Sequence, residues 1–373
     1  MSYQVNLDEQ NDIVKEIDQT VSSGIWSEGA SSLTSFFTSS TQSSSNGQYF
    51  LQVYNKVTSD ASSAKQFSVL YGHKGGSGSL GKPGVDGNRE TAVVYGQLNN
   101  LVNPPETELF SWASGDDVTK QHIFALAFDR ARMREKVDPG NWELVLAGPN
   151  GSATQKVSLI DDSSTNTSTI NDNGVTEYNI VSGSIQGGST TIASASTAHG
   201  SGTGSYGKFY PDFGLLVLSA HALSKSQLGT GDNAKPAFSP YFEAGNLGLD
   251  AAEAKSTTGS NTLYNVASHS LHNFFDSLSS GSLFQARREE VVSSTHYFCR
   301  VRNDKFNRSN NPTWVTGSDG TPRIESFKTS PKTYLTTVGL YNDADELLAV
   351  AKLSQPILKS KSREALIKVK LDF

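Results

Sequence analysis

With 373 residues the chain can form two or three domains and bury real cores. Hydrophobic residues make up 36% and charged residues 18%, which predicts a modest core with long solvated loops and excludes a highly charged disordered chain. The net charge of −6 argues against a primary nucleic-acid-binding role, which needs a basic face to neutralise phosphates.

Residues 1–47 read as an extended N-terminal arm. Its opening, Met1 to Gln10, has neither a basic start nor an apolar stretch, so no signal peptide is expected and the product should stay in the cytoplasm where it is made. No run along the chain approaches the ~20 apolar residues that span a bilayer, so no membrane partner is expected. The spacing predicts a short amphipathic helix around Asn11–Val21. From Ser27 to Asn46 the chain is rich in Ser and Thr, a composition that cannot offset its own ordering entropy. The pair Phe36-Phe37 inside that stretch implies docking, either on the chain's own body or on a neighbouring subunit.

A mixed α/β body is expected over residues 48–148. Tyr49–Tyr54 and Gln66–Tyr71 read as strands, Arg89–Val102 as a helix stopped by Pro104-Pro105, and His122–Phe128 as a central strand. Asp138-Pro139-Gly140 reads as a turn before a strand at Trp142–Leu146. Residues 149–207 turn Gly/Ser/Thr-rich, with short strands at Lys156–Ile160 and Thr176–Val181. They read as an inserted, exposed β-excursion. A β-rich C-terminal body is expected over 208–373. It holds a core strand at Leu215–Leu218, a polar linker at 228–260, a helix at 262–278 and strands from Glu290 onward. Tyr334–Tyr341 and Glu346–Leu353 flank the four-residue loop Asn342–Asp345, a hairpin whose second strand should place Leu347, Ala349, Ala351 and Leu353 on one face. The fold class is therefore α+β and β-dominated, with antiparallel sheets and a few helices.

The motifs point away from catalysis. Gly76-Ser-Gly-Ser-Leu-Gly81-Lys82-Pro83 lacks the hydroxyl after the lysine that a P-loop needs for magnesium, and Pro83-Gly84 breaks the required helix. Gly202-Thr-Gly204-Ser-Tyr-Gly207 fits the dinucleotide fingerprint without the strand before and the helix after. His269, His272 and Asp276 fall at i, i+3 and i+7, but no Cys/His cluster elsewhere completes a zinc set. Arg130, Arg132, Arg134 and Lys136 form a basic run with acids inside it, which reads as a solvated or subunit-facing segment. Asp116-Asp117 and Asp161-Asp162 are sequence neighbours that point apart, so no acid/base pair is assigned. Cys299, the sole cysteine, reads as packing in a strand. No catalytic residue, cofactor or metal is expected.

Several stretches resemble virion structural proteins of T4-like contractile-tailed phages, especially cyanophage-like myoviruses. They are residues 26–42 from Trp26-Ser-Glu-Gly-Ala to Thr-Gln, Tyr71-Gly-His-Lys-Gly-Gly-Ser-Gly-Ser, Asp138-Pro-Gly-Asn-Trp-Glu-Leu, and Tyr210-Pro-Asp-Phe-Gly-Leu-Leu-Val-Leu. The C-terminal block is the most specific: Asn303 to Trp314, Tyr334 to Leu353, and Ala365-Leu-Ile-Lys-Val-Lys-Leu-Asp-Phe. The resemblance implies a tail or baseplate (wedge) subunit in the virion. Its partners would be other virion structural proteins and its own copies in a symmetric oligomer. Interfaces concentrate aromatics and Arg, which makes Trp26, Phe36, Phe37, Arg130, Arg132, Trp314 and Phe373 the candidate interface residues. The alternatives are a host-surface or glycan-binding module with the 149–207 excursion as its face, a neck or capsid-associated protein, and a polysaccharide-degrading enzyme. The enzyme requires two carboxylates across an aromatic-lined groove.

Overall fold

The computed structural model describes residues 6–8, 10–42, 48–76, 90–110, 112, 122–147, 156–166, 169–192, 205–220, 223, 266–307, 311–316 and 319–372. The chain begins with β1 (Ile13–Gly24), β2 (Ser32–Leu33), β3 (Phe37–Ser39), β4 (Phe50–Tyr54) and β5 (Lys65–His73). Next come α1 (Glu90–Val102), β6 (His122–Phe128), α2 (Arg130–Met133), β7 (Lys136–Ala147), β8 (Lys156–Asp161) and β9 (Thr169–Ile170). They are followed by β10 (Thr176–Gln186), β11 (Ser189–Ile192), β12 (Gly207–Tyr210), β13 (Leu215–Ser219) and α3 (Val266–Gly281). The chain closes with β14 (Leu283–Val301), β15 (Val315–Thr316), β16 (Thr321–Pro322), α4 (Ser326–Thr329), β17 (Lys332–Tyr341), β18 (Leu347–Ser360) and β19 (Ala365–Asp372). Every strand pairing described is antiparallel, so the fold is α+β and β-dominated. Two compact units form: Ser22–Glu290, and Met1–Val21 together with Val291–Phe373.

The larger unit is one curled sheet. Its strands follow the order β14-β7-β8-β10-β12-β13-β6-β5-β4-β3. Although β14 and β5 stand far apart in that order, Phe67 and Phe284 meet edge to face at 5.4 Å between ring centroids. The sheet therefore curls until its inner faces touch. Central strands β6 and β13 are apolar on both faces, which is why Leu215-Leu216-Val217-Leu218 reads as an unbroken apolar run. On the inner side, α3 presents Leu271, Phe274 and Leu278, and Phe274 stacks on Phe124 at 4.8 Å. On the other side, Tyr95 and Val102 of α1, with Phe110 and Trp112, cover Ile123, Ala125 and Val217.

The segment after β1 closes the curl. β2 pairs with β14 through Leu33 and Phe284, while β3 pairs with β4 through Phe37 and Tyr54. One short stretch thus lies on both edges of the same sheet. Trp26 fills the seam, with Phe284, Phe128 and Phe67 at 5.0, 5.6 and 5.9 Å. Gln66 locks it by accepting from the Ser27 amide at 3.0 Å and donating to the Ser27 hydroxyl at 2.6 Å. The Ser/Thr-rich stretch, expected to dock on its own body or a neighbour, docks on its own body over its described part.

Several expectations change. Asn11–Val21 is not a helix: Ile13–Gly24 is strand β1, a neighbour of β14, and its β-branched residues suit the pairing that overrides the helical spacing. The 149–207 excursion is not a lobe, because β8, β10 and β12 are interior strands of the sheet. The expected boundaries at 47, 148 and 207 give way to the two units above. Asp138-Pro139-Gly140 does not reverse the chain. It bulges out of β7, where pairing with β14 jumps from Ala286–Trp142 to Arg288–Val137 and Gly140 takes φ +77.

The smaller unit is thin. In it, β14 has β1 and β19 as neighbours, and β19 alternates cleanly: Ala365, Ile367 and Val369 are buried, while Leu366, Lys368 and Lys370 are exposed. The hairpin β17–β18 packs Leu335, Val338, Leu340, Ala349, Ala351, Leu353 and Ile357 against Ile367, Val369, Tyr297 and Cys299. A bulge between Leu340 and Tyr341 leaves Leu348 without an opposite residue, which inverts the alternation. Leu347 therefore departs from the expected face: it points outward while Ala349, Ala351 and Leu353 point in.

Candidate interaction surface

Most of the expected interface residues serve their own chain. Trp26 and Phe36 are buried in the larger core, and Phe37, on edge strand β3, is about one-third exposed. Arg130 donates to the Asp212 carbonyl at 3.3 Å and Arg132 to the Lys65 carbonyl at 3.2 Å. Arg134 pairs with Glu290 at 2.8 Å and Lys136 with Glu289 at 2.9 Å, so the basic run is spent within the unit. Trp314 packs edge to face on Phe327 at 5.8 Å. Phe373 lies outside the described residues.

The chemical motifs dissolve in the same way. Residues 77–89, with most of the glycine loop, and Asp116-Asp117 lie outside the described residues. So do 201–204, but Gly207 of the second glycine motif is a strand residue, not a helix start. A Cβ there would sit 1.9 Å from the Val217 carbonyl oxygen, so that glycine permits close strand approach. On α3, His272 is exposed and bonds Gln48 at 2.9 Å. No group of three or more metal-capable side chains occurs among the described residues. Among those residues no helix is long and apolar enough to cross a membrane.

Buried ionisable groups do structural work. Asp161 accepts from the Gly140 amide at 2.8 Å and the Ser163 amide at 3.0 Å, pinning the bulge of β7 to β8. Burial pushes its carboxyl above the usual range, against those hydrogen bonds. Asp162 accepts from the Asn179 amide at 2.9 Å and its side chain at 2.8 Å. Lys359, fully buried on β18, donates to Asn307 at 2.6 Å, and burial lowers its pKa. Burial raises that of the Cys299 thiol, with the Asp12 charge adding to it, so the inert-packing reading fits this cysteine. Sequence reasoning missed the buried pair His73 and His122, directly opposite on β5 and β6 with rings 4.1 Å apart. The Tyr71 hydroxyl lies 3.2 Å from His122 Nδ1.

What remains exposed and apolar concentrates on the outer face of β17–β18. Tyr341, Leu347, Val350 and Leu348 are 50, 52, 57 and 68% exposed. Tyr341 stands opposite Leu347, and Val350 opposite Gly339. The Tyr341 ring and the Leu347 side chain both lie over Gly339, within 3.2 Å of where a Cβ would project, so these side chains form one patch. Tyr334 is also exposed, but on β17 it lies beyond the level of Lys352 and a second register shift, outside this patch. Single exposed apolar residues are ordinary, but a contiguous group on one strand pair marks an interaction surface. Sequence reasoning missed it because strict alternation hid the bulge. The adjacent pair Leu347-Leu348 was the available sign.

No family model matches the chain, and neither does any curated protein or solved structure.

Proposed function

We propose that the chain is a structural subunit of a contractile-tailed phage virion, in its tail or baseplate, acting through protein–protein contacts rather than catalysis. The apolar outer face of β17–β18 carries this reading: a thin two-layer unit leaves Tyr341, Leu347, Leu348 and Val350 in water, which is costly unless another surface covers them. That face lies in the same C-terminal block that carries the resemblance to virion proteins. The buried carboxylates Asp161 and Asp162 are spent on hydrogen bonds from backbone amides, a structural use that lends a glycan-cleaving pair no support. The strands of 149–207 are built into the sheet, which weakens the glycan-binding alternative.

Cryo-electron microscopy of intact particles tests the reading. Density for this fold in the tail or baseplate, with the β17–β18 face covered, is the expected result. Particles of full composition in which the chain is absent would overturn it.

A further inference from the structure

The apolar patch has opposite charges at its two ends. At the tip of the hairpin, Asn342 Oδ1 accepts from the amides of Ala344 at 3.0 Å and Glu346 at 2.8 Å, which fixes a tight loop. That loop holds Asp343 and Asp345 exposed. Past the patch toward the base of the hairpin comes Lys352, also exposed, opposite Thr337. Asp343, Asp345 and Lys352 make no ion pair among the described residues. Along one ribbon the order is therefore acid, apolar, base.

Such an order is self-complementary. Turning a second ribbon by half a rotation about an axis through the patch sets leucine and tyrosine against leucine and tyrosine. The same rotation sets each acidic tip against the other copy's lysine. Opposite charges then meet twice and like charges never do, the arrangement a twofold interface requires. A parallel overlay would stack acid on acid. The bulge at Leu348 serves this geometry by turning two successive leucines to the outside.

We infer that the outer face of β17–β18 pairs with the same face of a second copy across a twofold axis, with Asp343 of each chain meeting Lys352 of the other. This inference rests on reading the chain as an assembly subunit. It adds the partner and the face.

Sedimentation velocity on the full chain, over a wide range of concentration, tests it. The chain should sediment as a concentration-dependent dimer. Leu348→Lys and Val350→Lys should each weaken the dimer about tenfold or more. Both positions are exposed, so an unchanged circular dichroism spectrum and melting midpoint check that the fold is kept. Lys352→Asp should weaken the dimer, and adding Asp343→Lys should recover it, since the swap restores both charge contacts. A wild-type chain that stays monomeric at every concentration overturns the inference. So does a dimer indifferent to all these substitutions. A monomer whose hairpin is covered in particles by a different protein also overturns it, while leaving the structural function standing. A dimer through this face in a chain absent from particles keeps the pairing and removes the function.

Discussion

Trp26→Ala is the sharpest test of how the larger sheet closes. The indole is buried in the seam between β5 and β14, within 5.0–5.9 Å of three phenyl rings. Truncating a buried aromatic of this size costs about 3–5 kcal/mol, through lost burial and the cavity left behind. At about 2–4 °C per kcal/mol for a domain of this class, the melting midpoint should fall by roughly 6–20 °C. Differential scanning calorimetry gives the midpoint. Hydrogen exchange adds location: the Ala286 amide, which donates to the Ser31 carbonyl at 2.9 Å, should lose protection first. Phe37→Ala, on the partly exposed edge strand, supplies the contrast at about 0.5 kcal/mol. If Trp26→Ala and Phe37→Ala melt alike, within about 1 °C of wild type, the seam does not depend on Trp26 and the closure argument fails.

Two glycines should respond in opposite directions. Gly207→Ala drives a Cβ to 1.9 Å from a backbone oxygen of β13 and should cost about 3 kcal/mol or more, read as a lower urea midpoint. Gly96→Ala, in the interior of α1 with open space around the new methyl, should stabilise by about 0.5–1 kcal/mol in the same assay. Asp161 carries a signed pH dependence. Burial raises its folded pKa above the unfolded value, so the folded state holds the proton more tightly, and this group's contribution to stability falls as pH rises from the usual carboxylate range through the raised folded value. Asp161→Asn should flatten that part of the stability–pH curve and cost about 1–3 kcal/mol by weakening the hold on Gly140. Equal slopes in variant and wild type would refute the assignment.

Local chemistry was legible in the sequence where it agreed with tertiary pairing. His122–Phe128 is a strand at the expected residues, and Arg89–Val102 differs from α1 by one residue. The Asn342–Asp345 loop joins β17 and β18 as its turn chemistry predicts. The failures share a cause: a partner strand distant in sequence decided the outcome. Ile13, Ile17 and Val21 fit a helix by spacing, yet the same residues are β-branched, and β14 supplies an edge for them. Asp138-Pro139-Gly140 has turn composition, yet Asp161, some twenty residues on, clamps the Gly140 amide and keeps the chain in β7 as a bulge. Low hydrophobicity over 149–207 suggested exposure, but a strand in a curled sheet needs only its inward residues apolar, as Val157, Leu159 and Ile180 are.

The candidate surface was hidden by the same kind of effect, one residue in size. Aromatic content drew attention to Trp26 and Phe36, whose burial shows that a large side chain in a polar stretch can mark intramolecular closure as readily as an interface. The apolar patch near the tip of β17–β18 has one aromatic, Tyr341, beside its leucines and depends on a parity change that no composition measure detects. A bulge weakens the ladder of its own hairpin, so a compensating use is expected at the residues it re-aims. Here those residues are Leu347 and Leu348, whose neighbours supply acid on one side and lysine on the other. If the bulge served only the fold, its outward residues would be polar, as Thr336 and Thr337 are farther down β17. That they are leucines is the reason to look for what covers them.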